Sequence, residues 1–191
     1  MQSLNLKDYI KVYNILDKNY INSIVSSLQP EELWQKQPWT NREYKFVLSE
    51  GDEDICVSYG ASEGQTSYVM QNIHTALHKY FSEVNSSIAE FAAWNGYSEV
   101  RYNRYQKGQA IVRHIDDIYS LFDGTRRGVP ILSVVGLLND DFAGGDFIMF
   151  DDYKVNLKAG DIMIFPSSFT FPHHVTHVTE GTRYSFVSWV W

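Results

Sequence analysis

The stretch ILSVVGLLNDDFAGGDFIMFDDYKVNLKAGDIMIF, residues 131–165, decides the fold. It consists of short apolar runs, 131–138, 146–150, 153–157 and 161–165, rich in β-branched and aromatic residues and separated by Asn139-Asp140-Asp141, Gly144-Gly145, Asp151-Asp152 and Ala159-Gly160. Runs this short, broken by turn-forming residues, are strands rather than helices. The same rhythm extends outward to strands at 99–105 and 110–114 upstream, and at 174–178 and 183–190 downstream. Eight strands at such close spacing, in about 95 residues, predict two packed antiparallel sheets, a jelly roll or double-stranded β-helix.

Upstream the period changes. A short strand is expected over 9–15, and Asp17 is placed to cap a helix whose apolar residues Ile21, Ile24, Val25 and Leu28 recur at helical spacing until Pro30 stops it. A second helix is expected over 67–83, where Val69, Ile73, Leu77, Tyr80 and Phe81 form one stripe. Acidic residues and glycines over 49–66 suggest a mobile loop or hairpin. Since no Pro-rich or Gly/Ser-rich linker divides the chain, the expectation is one α+β domain over 1–191: a supporting region, 1–96, with helices flanking a β core, 97–191.

Composition narrows the class of function. The 191 residues are 44% hydrophobic and 20% charged, enough for a self-sufficient core. Cys56 is the only cysteine, which excludes a disulfide scaffold and fits a reducing compartment. Sixteen Lys and Arg against 23 Asp and Glu give a net charge of -7, which argues against nucleic acid as a partner. No apolar run reaches the ~20 residues of a membrane span and the start lacks a signal peptide's pattern, so a soluble, cytoplasmic protein without a membrane partner is expected.

Chemistry concentrates at two places. His114 and Asp116 stand two apart at the end of a strand and share a face. A third ligand is available in Phe171-Pro172-His173-His174-Val175-Thr176-His177. Two imidazoles and one carboxylate on one face of an octahedron suit ferrous iron and leave three positions open. Farther on, Arg183 and Ser185 share a strand face, and an arginine fork beside a hydroxyl receives a carboxylate well.

These pieces occur in order with several others: Tyr105-Gln106-Lys107-Gly108-Gln109, His114-Ile115-Asp116, Leu138-Asn139, Phe142-Ala143-Gly144-Gly145-Asp146, Ala159-Gly160-Asp161, Phe165-Pro166, Pro172-His173-His174-Val175 and Gly181-Thr182-Arg183-Tyr184-Ser185. Over about the last 95 residues the chain thereby resembles the 2-oxoglutarate and iron(II) dependent dioxygenases of the prolyl 4-hydroxylase-like group. The resemblance implies His114, Asp116 and His173 as iron ligands, and Arg183, with Ser185 and Tyr105, as the 2-oxoglutarate site. It implies Fe(II), 2-oxoglutarate and O2 as cofactors, with ascorbate as a reductant, and hydroxylation coupled to release of succinate and CO2. A retained carboxylate at Asp116 speaks for hydroxylation over halogenation, because halogenating relatives lack it. One departure is Leu137, where some prolyl hydroxylases carry a tyrosine that binds the cosubstrate.

Among the other candidates, His174 should face away from His173, and His177 lies off the family spacing. His74 and His78, four apart on a helix, are more simply a partly exposed helix face than a zinc pair, and Cys56 a small buried residue. Trp189, Trp191, Phe186 and the 147–150 strand are expected in the core, with Tyr102, Tyr105 and Tyr119 on the pocket wall. Arg126 and Arg127, in a loop over 117–128, are candidate substrate contacts with Tyr119. The partner implied is a proline-containing peptide or protein. The competing classes are a free amino acid or other small metabolite as substrate, and a non-enzymatic metal-binding module.

Overall fold

The structure, a computed structural model, describes residues 5–40, 46–48, 54–84, 96–116 and 130–191. Its strands are β1 (Lys11–Asn14), β2 (Gln35–Lys36), β3 (Pro38–Thr40), β4 (Phe46–Leu48), β5 (Cys56–Ser58), β6 (Arg101–Tyr105), β7 (Ile111–His114) and β8 (Leu132–Leu137). They continue as β9 (Ala143–Gly144), β10 (Phe147–Met149), β11 (Tyr153–Val155), β12 (Asp161–Pro166), β13 (His173–Val175), β14 (Val178–Glu180) and β15 (Arg183–Val190), and the α-helices are α1 (Lys18–Ser27) and α2 (Glu63–Val84). A large sheet runs in the order β1-β12-β8-β15-β6-β5-β2, a smaller one in the order β11-β10-β13-β7, and two two-stranded ribbons complete the set. All pairings between the named strands are antiparallel.

Strand alternation sorts the side chains of the large sheet into two layers. Tyr102, Leu132, Val134, Ile162, Ile164, Tyr184, Phe186 and Val190 pack under the helices against Ile21, Ile24, Val69, Ile73 and Leu77. Tyr105, Val135, Met163 and Phe165, of opposite parity, meet Ile111, Phe147, Met149, Val155 and Val175 of the smaller sheet. The helices thus cover one face of the large sheet, and the other face is left for the inter-sheet space.

Local chemistry explains the helix bounds. Asp17 accepts from the N–H groups of Asn19 and Tyr20 at 2.9 and 3.0 Å, capping α1 as the sequence suggests. The second helix starts four residues earlier than 67, because Ser62 and Gln65 form a reciprocal capping box: Ser62 N–H donates to Gln65 Oε1 at 3.1 Å and Gln65 N–H to Ser62 Oγ at 3.3 Å. Stacked rings of Tyr20 and Tyr68, with centroids 3.8 Å apart, join the two helices. After α1, a fork from Arg104 to Glu31 at 2.6 and 2.7 Å ties the chain back to β6.

The segment read as a loop over 49–66 differs from that reading in its described part. Cys56–Ser58 is a strand of the large sheet, paired with β6 and β2, and α2 begins at Glu63. Residues 49–53 lie outside the described residues, as does the 117–128 loop with Tyr119, Arg126 and Arg127. The expected strand over 174–178 is two strands, one starting at His173 and the other at Val178, with a step between them.

Candidate metal centre

His114 ends β7 and His173 begins β13, and the two are direct register partners across the smaller sheet. Asp116, two residues after His114, turns back toward the same point. His114 Nε2 lies 3.5 Å from Asp116 Oδ1, and His173 Nε2 lies 3.7 Å from Asp116 Oδ2. The three ligand atoms lie within 4.8 Å of one another, and among the described residues this is the single His/Cys/Asp/Glu group of that kind.

The backbone sets the tautomers. His114 Nδ1 lies 2.8 Å from Val112 O and His173 Nδ1 lies 3.1 Å from Phe171 O. A carbonyl can only accept, so each Nδ1 carries a proton and each Nε2 is the nitrogen left facing the cluster, the one that would bind a metal once free of its own proton. Such outer contacts fix ring orientation at metal sites. His173 is also clamped by Phe147, stacked at 5.3 Å, and Phe165, edge-on at 5.0 Å.

Burial by itself pushes the Asp116 carboxyl up, but its hydrogen bond with His114, the charges of His173 and His114, and a hydrogen bond from Ser133 hold it below the usual carboxylate range. Burial pushes the His173 imidazole down. For His114 the burial effect is outweighed by the Asp116 hydrogen bond and charge, which raise it. The donor set, two imidazole Nε2 atoms and one ionised carboxylate, fits a divalent transition metal with open positions.

The same pocket extends over β6 and β15. In register, Arg183 faces Tyr105, Ser185 faces Asn103 and Val187 faces Arg101. Arg183 is 1% exposed, donates from Nη1 to Ser185 Oγ at 2.8 Å, and places its guanidinium carbon 4.8 Å from the Tyr105 ring centre. Among the described residues no carboxylate pairs with it, and its Nε is buried without a partner. A buried guanidinium in this state lacks its counter-ion, which the pocket must receive from outside. Burial accordingly pushes its pKa down, against the Tyr105 contact. The pocket wall also bears on Gly145, whose φ is +61° and where a Cβ would stand 3.0 Å from Arg183 Cδ.

The structure therefore gathers His114, Asp116, His173, Arg183, Ser185 and Tyr105 around one pocket. Leu137 sits opposite Ser185 in register. His174 and His177 do not line the pocket, and His74 and His78, with Nε2 atoms 3.3 Å apart, lie on the exposed face of α2. Two expectations need correction. Tyr102 packs on the helix side, since its parity is opposite to that of Tyr105. Trp189 is buried as expected and, sharing the parity of Arg183 and Ser185, also lines the pocket. Cys56 is half-buried beside Arg104 rather than buried. Arg101 and Asn103 also line the pocket and were not expected there, although their spacing to Tyr105 in a strand carries the signal.

Comparison with known proteins agrees with this geometry. Residues 100–191 match the sequence model of the 2OG-Fe(II) oxygenase superfamily. A PKHD-type hydroxylase of Acinetobacter baumannii is 35% identical over 95 residues, 47% of this chain and 41% of that protein, so the match spans less than half of its length. A PKHD-type hydroxylase of Idiomarina loihiensis is 25% identical over 184 residues, 95% of this chain and 76% of the relative. In fold the chain is similar to a prolyl hydroxylase of Trichoplax adhaerens, solved with a hypoxia inducible factor oxygen degradation domain peptide fragment. That likeness has a TM-score of 0.67 at 16% identity and covers 96% of this chain and 84% of the other. No helix among the described residues is long and apolar enough to cross a membrane. Residues 100–191, a little under half of the chain, thus carry the sequence pattern of the 2OG-Fe(II) oxygenase superfamily.

Proposed function

We propose that the chain is an iron(II) and 2-oxoglutarate dependent hydroxylase that acts on proline in a peptide or protein. The observation that carries this is the convergence on one pocket of the His114, Asp116 and His173 cluster with a buried, unpaired Arg183. In this reading the two facing sheets are the jelly-roll core, and α1 and α2 brace the sheet that bears Arg183.

Each residue then has a task. His114 and His173 offer Nε2 and Asp116 offers a carboxylate oxygen to the iron. Arg183 takes the distal carboxylate of 2-oxoglutarate in a two-pronged contact, with its fork aimed by Ser185 and supported by the Tyr105 ring. Phe147 and Phe165 hold the His173 ring and exclude water from its flank. When bound, iron supplies the activation of O2 that puts a hydroxyl on an unactivated C–H bond as 2-oxoglutarate becomes succinate and CO2, and ascorbate serves as reductant. The chain's own contribution is to hold the target C–H bond at that point.

The peptide substrate is supported by the shared fold with a prolyl hydroxylase solved with a peptide. A free amino acid or small metabolite is the second reading, favoured by an additional cation, Arg101, in the pocket. Incubating the protein with Fe(II), 2-oxoglutarate and either proline-containing peptides or free L-proline separates them by mass spectrometry. One added oxygen on peptide proline is expected; oxidation of free proline with every peptide unmodified moves the assignment to the small-molecule class.

A further inference from the structure

Arg183 is not the only arginine facing the pocket. Arg101, on the neighbouring strand, shares the parity of Asn103 and Tyr105 and lines the same space. Its Nε donates to Asn103 Oδ1 at 3.2 Å, and its guanidinium carbon lies 4.9 Å from the Trp189 ring centre. Stacked on an indole and held at its Nε, the fork is oriented before anything binds, and its Nη groups have no carboxylate partner among the described residues. Asp116 is the acid whose charge reaches it, but that carboxylate is taken up by His114 and His173. An arginine in this condition is a receptor awaiting an anion.

The anion that Arg101 awaits is not the one bound by Arg183. Arg183 is the register partner of Tyr105 and stacks on it, whereas Arg101 is the register partner of Val187 and stacks on Trp189. Since Arg101 pairs with Val187, four residues along β15 from Arg183, the two backbones are offset by roughly 13 Å at about 3.3 Å per residue. A five-carbon diacid with bonds of about 1.5 Å separates its two carboxylate carbons by no more than about 6 Å. Each fork also has its own holder, Ser185 and the Tyr105 ring for Arg183, Asn103 and the Trp189 ring for Arg101, so a carboxylate taken by Arg183 leaves Arg101 a receptor for a second one.

We propose that Arg101 binds a carboxylate of the substrate and so determines its specificity. This rests on the hydroxylase reading above and adds the substrate's chemical class: a molecule with a carboxylate near the carbon to be oxidised. The indole face of Trp189 and the side chain of Val187 would cover the adjoining hydrocarbon, and the planar fork matches a carboxylate two bonds at a time. The same chemistry has two sources, the carboxylate of a free amino acid and an acidic side chain next to proline in a peptide.

The test is calorimetric titration of the full chain with Mn(II) in place of iron and saturating 2-oxoglutarate, so that binding is read without turnover. One arm compares L-proline with L-prolinamide. The other compares acetylated and amidated peptides that carry Asp or Asn on either side of proline. At least one carboxylate probe should bind tenfold or more tightly than its amide partner, and the arm in which it does so identifies the source. Arg101→Gln should reduce that preference below twofold, while Arg101→Lys, which keeps the charge and lacks the fork, should keep part of it and serve as the folding control. No preference in either arm, or one that survives in Arg101→Gln, overturns the proposal. Iron-dependent succinate formation is followed in parallel on the wild-type protein. Its absence alongside an Arg101-dependent carboxylate preference would defeat the hydroxylase reading and leave the receptor standing.

Discussion

The guanidinium of Arg183 lies 4.8 Å from the ring centre of Tyr105, its own register partner across β15 and β6. Sheet register therefore delivers both residues to the pocket together, where the arginine is buried. A charge-assisted contact to a carboxylate contributes about 1.5 to 3 kcal/mol. Arg183→Ala should raise the half-saturating 2-oxoglutarate concentration for succinate formation at least tenfold, and Arg183→Lys should recover little of the loss. An unchanged requirement in Arg183→Ala would remove this residue from the cosubstrate site.

Replacing His114, Asp116 or His173 by Ala should abolish iron-dependent conversion of 2-oxoglutarate to succinate. Circular dichroism should remain close to wild type, because the helix-side core does not touch these residues. Loss of activity that merely tracks loss of folded protein would contradict a ligand role.

His174→Ala and His177→Ala should keep iron binding and activity, since neither lines the pocket. Retention of iron by His173→Ala together with its loss in His174→Ala would reassign the third ligand.

The sequence makes the β core legible because short apolar runs and glycine or aspartate turns leave few alternatives, and seven of the eight runs are single strands while 174–178 divides between two. The site is legible where spacing is local: a single residue separates His114 from Asp116, and a single residue separates Arg183 from Ser185. What escapes is register. Nothing in the order of residues announces that β6 lies beside β15, and only that pairing turns Arg101 and Asn103 into neighbours of Ser185 and Val187. The same parity rule, once applied, moves Tyr102 out of the pocket and Trp189 into it. The early start of α2 was readable from Ser62 and Gln65, a capping box masked by the acidic and glycine-rich surroundings.

Two glycines should respond to alanine with opposite signs. Gly144 has φ +71°, and a Cβ there would stand 2.3 Å from His177 O, so Gly144→Ala should destabilise the fold by more than about 1 kcal/mol. Gly64, within α2, has nothing within 4 Å of the added Cβ, so Gly64→Ala should stabilise by about 0.5 to 1 kcal/mol. Urea unfolding midpoints at equal slope provide the comparison.

The most direct test of the central claim is an anaerobic titration of the purified chain with Fe(II) and then 2-oxoglutarate, followed by visible absorption. A weak charge-transfer band should appear only when both are present, disappear in His173→Ala, and require far more 2-oxoglutarate in Arg183→Ala. Iron binding without that band would contradict the account and make the cluster a metal site of a non-enzymatic module.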